Sequence, residues 1–310
     1  MTEEKKIIEE DIREHIGENA SFPFIEEIIS DIKKKKELRS LDEEFIKRKL
    51  LDFFNDISNY QYKEKILKKL SKSENYKKFS KSKEHDFLIK NLRSELRKVY
   101  GAFILKDYEF KNKILKKLKS PDDFEGHVAL LKLHKSTNER LNHYKELYDS
   151  ILTNVSGKIK ILDLACGLNP ISSIFIRDRI KKYYASDIST EDCEFISQYF
   201  NKVKLDGEVF ALDLIEKESI KKISSIPVDV CFIFKTLDGL ERVERGITEK
   251  ILDSINAKII AVTFPTLSLS GIRPIKEHRR IWLEKLLNKM KLKWEKKPIE
   301  NELLYLIYKR

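Results

Sequence analysis

Apolar residues recur at helical spacing from the start of the chain to about residue 133. Ile7, Ile8, Ile12 and Ile16 mark one such face, and Phe45, Ile46, Leu50 and Phe53 mark another. Residues three and four apart share one side of a helix, so each stretch predicts an amphipathic helix with a single buried stripe. Breaks fall at residues 17–23, at Ser71–Asn75, at Gly101 and at Ser120-Pro121. The run Ser120-Pro121-Asp122-Asp123 reads as a helix start, with a capping hydroxyl, a proline in the first turn and early acidic residues. A bundle of five or six helices is expected, with no internal repeat.

After about residue 157 the period changes. Lys158–Leu164, Lys182–Asp187, Glu208–Leu212, Asp229–Phe234 and Lys258–Phe264 read as strands. Helices are expected between them, from Pro170 to Ile180, Thr190 to Phe200 and Glu241 to Ile255, with one more from Lys276 to Met290. Two late strands, near Lys293–Lys297 and Leu303–Tyr308, form a terminal hairpin. Alternation of this kind predicts an α/β fold: an open, mostly parallel sheet with an antiparallel last strand. The expected organisation is an all-helical domain over 1–133, followed by a nucleotide-binding-type domain over 134–310.

Composition adds a partner class. The 310 residues carry 62 Lys+Arg against 51 Asp+Glu, a formal net charge of +11. Residues 1–60 hold 11 basic and 16 acidic side chains, whereas residues 61–120 hold 19 and 7. The surplus is thus concentrated in one helical segment, with runs such as Lys111 to Lys119 and interleaved aromatics. Such a patch suits a polyanion, because neutralising phosphates releases condensed counterions; a solvated helix face is the plainer alternative. With 41% hydrophobic residues the chain can build a true core, which excludes collagen-like and disordered classes. Cys166, Cys193 and Cys231 are widely spaced and form no metal-ligand pattern, so reduced thiols, no metal and a cytoplasmic setting are expected. The amino-terminal segment lacks a signal-peptide core, and no apolar run is long enough for a membrane span.

Candidate chemistry lies at the strand ends. Asp163 closes the first strand and leads into Ala165-Cys166-Gly167-Leu168-Asn169-Pro170, a turn of small residues that a ligand can approach. Neither GxGxxG nor GxxxxGK[ST] is present, which disfavours a pyrophosphate-bearing cofactor. Asp187 ends the second strand, where a carboxylate can accept ribose hydroxyls, and Asp213 ends the third, near where an adenine amino group would lie. Each Asp read singly has a helix cap as its plainer, less favoured alternative. Cys166 reads as a small buried residue in a tight turn. His134 reads as a hydrogen-bonding neighbour of Arg140, since it and His143 have no partners at metal spacing.

Three acids at successive strand ends resemble the class I methyltransferase fold, which binds S-adenosyl-L-methionine. His134-Lys135-Ser136-Thr137-Asn138-Glu139-Arg140-Leu141, then LDLACGLNP, Phe234-Lys235-Thr236-Leu237, Phe264-Pro265-Thr266-Leu267-Ser268-Leu269-Ser270-Gly271, and Asn301-Glu302-Leu303-Leu304-Tyr305 occur in one order. The series resembles the aminoglycoside-resistance family of small-subunit rRNA methyltransferases, which modify N7 of a decoding-site guanine. Val99-Tyr100-Gly101-Ala102-Phe103 is similar to that family as well, and the likeness spans roughly residues 90–310.

The resemblance implies that Arg140 pairs with the methionine carboxylate and that Asp163, Ala165, Gly167 and Asn169 build the donor turn. It also implies that Asp187 holds ribose, that Asp213 lies near adenine, and that Lys235 faces the target base. Arg273, on a loop from Ser268, would meet phosphate, as would Lys113, Lys116 and Lys117 in the basic segment. Ala165 stands where the family often has glycine, so a right-handed turn is expected there. The partner implied is 16S rRNA in the 30S subunit, met by a monomer. A tRNA methyltransferase, a non-catalytic RNA-binding protein and a small-molecule methyltransferase remain as alternatives. The Arg140, Asp187, Asp213 set disfavours the second of these, and the basic segment the third.

Overall fold

The computed structural model describes residues 24–55, 60–268 and 273–309. The expected helix around Ile7–Ile16, the break at 17–23 and residues 269–272 of the candidate loop lie outside them. The chain divides into two compact units, Met1–Gly101 and Ala102–Arg310.

The first unit is helical throughout its described residues: α1 (Ile25–Lys33), α2 (Glu43–Asn55), α3 (Tyr60–Ser71), α4 (Tyr76–Phe79) and α5 (Lys83–Val99). The apolar stripes meet in a core where Ile28, Ile32, Ile46, Leu50, Leu88 and Leu96 are wholly buried. Two helix starts carry side-chain caps, Asn75 accepting the Lys78 N–H and Ser82 accepting the His85 N–H.

The second unit begins 32 residues before the boundary read from the sequence. Its first helices are α6 (Lys111–Lys117), α7 (Phe124–Leu131), α8 (Lys135–Arg140) and α9 (Tyr144–Leu152). Leu115, Leu118, Leu130 and Leu131 enter the same core as Ile161, Tyr183 and Phe195 of the sheet layer. Helical period reveals that a stripe must be buried, but not which core receives it, so it cannot separate residues 102–133 from the helical side.

The sheet contains β1 (Ile159–Leu164), β2 (Ile180–Asp187), β3 (Gly207–Ala211), β4 (Val228–Phe234), β5 (Ala257–Pro265), β6 (Lys293–Ile299) and β7 (Glu302–Tyr308). Their order is β3-β2-β1-β4-β5-β7-β6, parallel except that β7 runs antiparallel between β5 and β6. Successive β1 residues face opposite layers, Ile161 into one core and Leu162 and Leu164 into the other. This explains why the central strands read as continuous apolar runs. Between the strands lie α10 (Thr190–Val203), α11 (Lys217–Ser224), α12 (Leu237–Val243) and α13 (Ile247–Ser254), and α14 (Ile281–Lys289) precedes β6.

Four local expectations are corrected. The segment after β1 is not an α-helix but 3-10 turns over Asn169–Phe175 and Arg177–Arg179. There Ser172 Oγ bonds the Asn169 carbonyl and Tyr148, side-chain bonds that compete with helix propagation. The helix expected over Glu241–Ile255 is broken at Gly246, whose φ of +86° starts α13. Glu241 accepts the N–H groups of Gly246 and Thr248 at that break. The segment near Ser120 begins its helix at Phe124, capped by Asp123 instead of Ser120. Residues Glu277–Arg280 form a 3-10 turn ahead of α14. Among the described residues no helix is long and apolar enough to cross a membrane.

Candidate active site

The strand order reverses direction at β1 and β4, and open α/β sheets take ligands at the carboxyl ends of the strands on either side of such a switch point. The turn after β1 is built by backbone bonds. Cys166 N–H donates to the Ser186 carbonyl at 2.9 Å, and Gly167 N–H donates to Asp187 Oδ2 at 2.8 Å. Ala165 has φ +51° and Gly167 φ +50°. The right-handed turn expected at Ala165 is therefore wrong: the anchored N–H groups of the two residues that follow it impose a left-handed residue, at a cost of about 1–2 kcal/mol. Gly167 has a second requirement, because a Cβ there would come 3.1 Å from His134 Nε2.

Asp187 receives the Gly167 N–H and the Ser189 N–H, one on each oxygen. Burial, with the nearby Asp192 carboxylate, pushes its pKa up to about 6. Among the described residues no cationic side chain lies within ion-pair distance of it. Asp213 stands at the adjoining strand end, following Leu212, whose N–H donates to the Asp187 carbonyl. Its carboxylate accepts the Ile215 N–H at 3.1 Å, closing a turn two residues long, while the cap position of the helix that follows is Glu216; the helix-cap reading of Asp213 does not hold.

Asp163 lies deeper, 1% exposed. One of its oxygens accepts from Asn169 Nδ2 at 2.8 Å and from the Tyr183 hydroxyl at 2.7 Å. Burial pushes its pKa up to about 7. Asn169 Oδ1 in turn accepts from Tyr144 and from Arg140 Nη1. Arg140 Nε donates to Glu302 Oε1 at 2.7 Å, and the guanidinium carbon lies 4.8 Å from the centre of the Phe234 ring. The same Glu302 oxygen is 2.9 Å from Lys235 Nζ, which also donates to Glu139 at 2.7 Å. Burial would raise the Glu302 pKa, yet Arg140 and Lys235 hold it below the ordinary carboxylate value. Lys235 has φ +57° at the end of β4, its N–H still paired with Thr263 of β5.

The structure thus joins Arg140, Asp163, Asn169 and Lys235 in one buried network, with Gly167 and Asp187 in an adjacent one. Lys113, Lys116 and Lys117 are exposed on α6, and Arg273 is exposed, its N–H bonded to Ser268 Oγ. Lys111, counted in the same basic run, is not available to a polyanion: its side chain is 2% exposed and paired with Asp192. His134 stacks on Phe103 and bonds Ser136, and burial pushes its pKa down to about 4. The three cysteines are buried and free, and no group of three metal-binding side chains occurs among the described residues. The sequence reading gave no role to Glu302, Glu139 or Tyr144. Glu302 carries a usable signal, a charge directly opening the apolar run LLYLIY.

The model of one family, ribosomal RNA methyltransferase (FmrO), matches residues 75–306. The chain belongs to this family. A 16S rRNA (guanine(1405)-N(7))-methyltransferase of Micromonospora echinospora is 31% identical over 231 residues, spanning 71% of this chain and 82% of the relative. One of the same name from Serratia marcescens is 34% identical over 180 residues, 58% of this chain and 68% of its own. The crystal structure of the 16S rRNA methyltransferase RmtF in complex with S-adenosyl-L-homocysteine superposes with a TM-score of 0.69 at 23% identity, covering 92% of this chain and 98% of that one. That likeness establishes the class I methyltransferase fold expected from the sequence.

Two buried groups of this methyltransferase should oppose each other in its acid response. Asp163, raised to about 7 from 3.8, contributes stability that is present at low pH and lost as pH rises through 7. His134, lowered to about 4 from 6.5, contributes stability that is lost as pH falls through 4. Asp163→Asn should unmask the second effect, so that its melting temperature falls more steeply than wild type on acidification from about pH 7 to 5. Parallel melting curves would remove Asp163 from the balance.

Proposed function

We propose that this chain transfers a methyl group from S-adenosyl-L-methionine to N7 of a guanine in 16S rRNA, near the decoding site of the 30S subunit. It does so as a cytoplasmic monomer. The observation that carries the reading is Asp187, a buried strand-end carboxylate held by backbone N–H groups beside a turn of small residues. With no cation within reach, its remaining acceptor capacity suits a pair of hydroxyls, and so a ribose. The donor site fits on its chemistry: Asp187 for ribose, the Ala165–Gly167 turn for the methionyl chain, Arg140 for its carboxylate and Asp213 toward adenine. Family membership and the named relatives support the same reaction.

When bound, the donor supplies a methyl group on a positively charged sulfur. Guanine N7 offers an in-plane lone pair and carries no proton, so this chain need supply no general base. The available side chains agree. His134 is neutral and shut against Gly167, and Lys235 is an ammonium fixed between Glu139 and Glu302. Such a lysine donates a hydrogen bond to guanine O6 or a phosphate and takes no proton. What remains is positioning, with the base splayed from its helix and held in line. RNA docks on the helical residues before 134, through Lys113, Lys116 and Lys117, and on Arg273.

Transfer of tritium from labelled S-adenosyl-L-methionine to purified 30S particles, bare 16S rRNA or bulk tRNA tests the substrate. Label in tRNA alone would overturn the assignment.

Asp187→Ala should weaken donor binding more than tenfold by calorimetry, from the loss of charge-assisted bonds of about 1.5–3 kcal/mol. Unchanged affinity would take Asp187 out of the site. Reversing Lys113, Lys116 and Lys117 to Glu should weaken RNA binding and flatten its salt dependence by about one released ion per lost contact. Donor affinity should be untouched, and a surviving salt slope would make the run a solvated face. The single-turnover rate at saturating RNA should stay nearly flat from about pH 6.5 to 8.5, where no proton leaves the base. Lys235→Ala should slow transfer while donor binding survives. A log-linear rise with pH in the chemical step would move the target to an exocyclic amine or N1.

A further inference from the structure

Lys111 is anomalous. It sits in the basic run of α6, yet its side chain is 2% exposed while Lys113, Lys116 and Lys117 face solvent. Its ammonium lies 4.4 Å from the centre of the Tyr108 ring and 5.6 Å from that of Phe195. It pairs with Asp192, itself 1% exposed, and with Glu191 at 3.0 Å. Burying an ammonium in this way is costly unless the partner carboxylate also needs it.

Asp192 occupies the first turn of α10, and its N–H donates to Ser189 Oγ at 3.2 Å. Ser189, the cap of that helix, donates its own N–H to Asp187 Oδ1 at 3.1 Å. A short bonded path therefore runs from Lys111 through Asp192 and Ser189 to the carboxylate assigned to ribose. We propose that Lys111 is a positioning residue for methyl-donor binding, holding Asp192 so that the Ser189–Asp187 turn presents an ionised carboxylate to the donor. The inference rests on the donor reading given above.

The path has an electrostatic side. The titratable and charged groups around Asp187 are Asp192 and Cys193 from α10, Asp163 and Cys166 from β1 and its turn, and His134 across Gly167. Of these, the Asp192 carboxylate is the main charge acting on Asp187, and it acts to raise the pKa. Lys111 is a buried cation bonded to Asp192. Removing it leaves a buried negative charge facing a second one, and two such groups resist ionising together. Lys111 does not touch the donor in this scheme. It sets the charge state and the place of the group that does.

The test is binding of S-adenosyl-L-homocysteine by calorimetry at a series of pH values, with wild type, Lys111→Met, Asp192→Asn and the double variant. In wild type, affinity should fall about tenfold per pH unit below roughly pH 6, as Asp187 takes a proton. Lys111→Met should move that midpoint up by about one pH unit and lower affinity at neutral pH by roughly tenfold. Adding Asp192→Asn should bring the midpoint back, and Lys111→Arg should leave it near the wild-type value. An unmoved midpoint in folded Lys111→Met, or a double variant that binds no better than the single, would overturn the proposal and leave Lys111 a packing residue. Should Lys111→Met not fold, Asp192→Asn alone decides: a midpoint shifted down supports the proposal, and an unmoved one overturns it. Wild type that binds no S-adenosyl-L-homocysteine at any pH would instead overturn the donor reading itself.

Discussion

Glu302 is the point on which the candidate site turns. Its carboxylate opens β7, is 2% exposed, and bonds Arg140 from the end of α8 and Lys235 from the end of β4. Three segments far apart in sequence are fixed by one oxygen atom. A buried ion pair is weak evidence of net stability, since an apolar substitute often does as well. Removing a single member is another matter, and typically costs 3–5 kcal/mol because it strands a charge. The cluster balances Arg140 and Lys235 against Glu302 and Glu139, which is why two cations can be held side by side in a low-dielectric pocket. The β6–β7 hairpin serves this end. It closes at Asn301, with φ +62°, and the Asn301 carbonyl accepts the Thr266 N–H beyond β5. The antiparallel last strand thereby delivers a carboxylate to a crevice otherwise lined by parallel strand ends.

Much of this was legible beforehand, and for identifiable reasons. The central strands are buried on both faces, so they appear as apolar runs too short for helices. Strand-end acids stand out because charge interrupts those runs: Asp163, Asp187 and Asp213 were visible for that reason. What the sequence hides is partnership. Nothing in the spacing of Arg140 and Glu302 indicates that they meet across 162 residues. Nor does a lysine-rich run reveal that Lys111 points inward while Lys113 points out. The left-handed turn at Ala165 is not legible because residue type alone points to a right-handed one, whereas bonds from Cys166 and Gly167 set the conformation. Gly246 breaks a helix for the opposite reason: its φ of +86° suits glycine, and Glu241 rewards the break with two hydrogen bonds.

Backbone strain marks the same crevice from both sides. Ala165 follows β1 and Lys235 follows β4, neighbours in the sheet on which the connections reverse direction. Both are non-glycine residues with positive φ, a conformation that costs on the order of 1–3 kcal/mol each and persists only where the surroundings over-determine it. At Ala165 the surroundings are backbone bonds to β2. At Lys235 they are the β5 pairing and two ion pairs. Strain of this kind aims a group: at Ala165 it turns the chain so that Gly167 N–H reaches Asp187, and at Lys235 it directs the ammonium to Glu139 and Glu302.

The division of charge then matches the reaction. Arg140, Lys235 and Glu302 are locked as fixed charges, each satisfied by an opposite neighbour. Titration near neutrality is left to Asp163 and Asp187, at about 7 and 6. Neither has a histidine or lysine within hydrogen-bond reach among the described residues; Asp163 bonds Asn169 and the Tyr183 hydroxyl, and Asp187 bonds backbone N–H groups. A site that moved protons would place a base against the reacting atom and tune it by contact with a partner. Here the shift falls instead on a carboxylate that accepts backbone N–H groups, raised first by burial and then by the nearby Asp192 carboxylate. The electrostatics are arranged to hold a polar ligand in register, which is what methyl transfer to an unprotonated ring nitrogen requires of a protein.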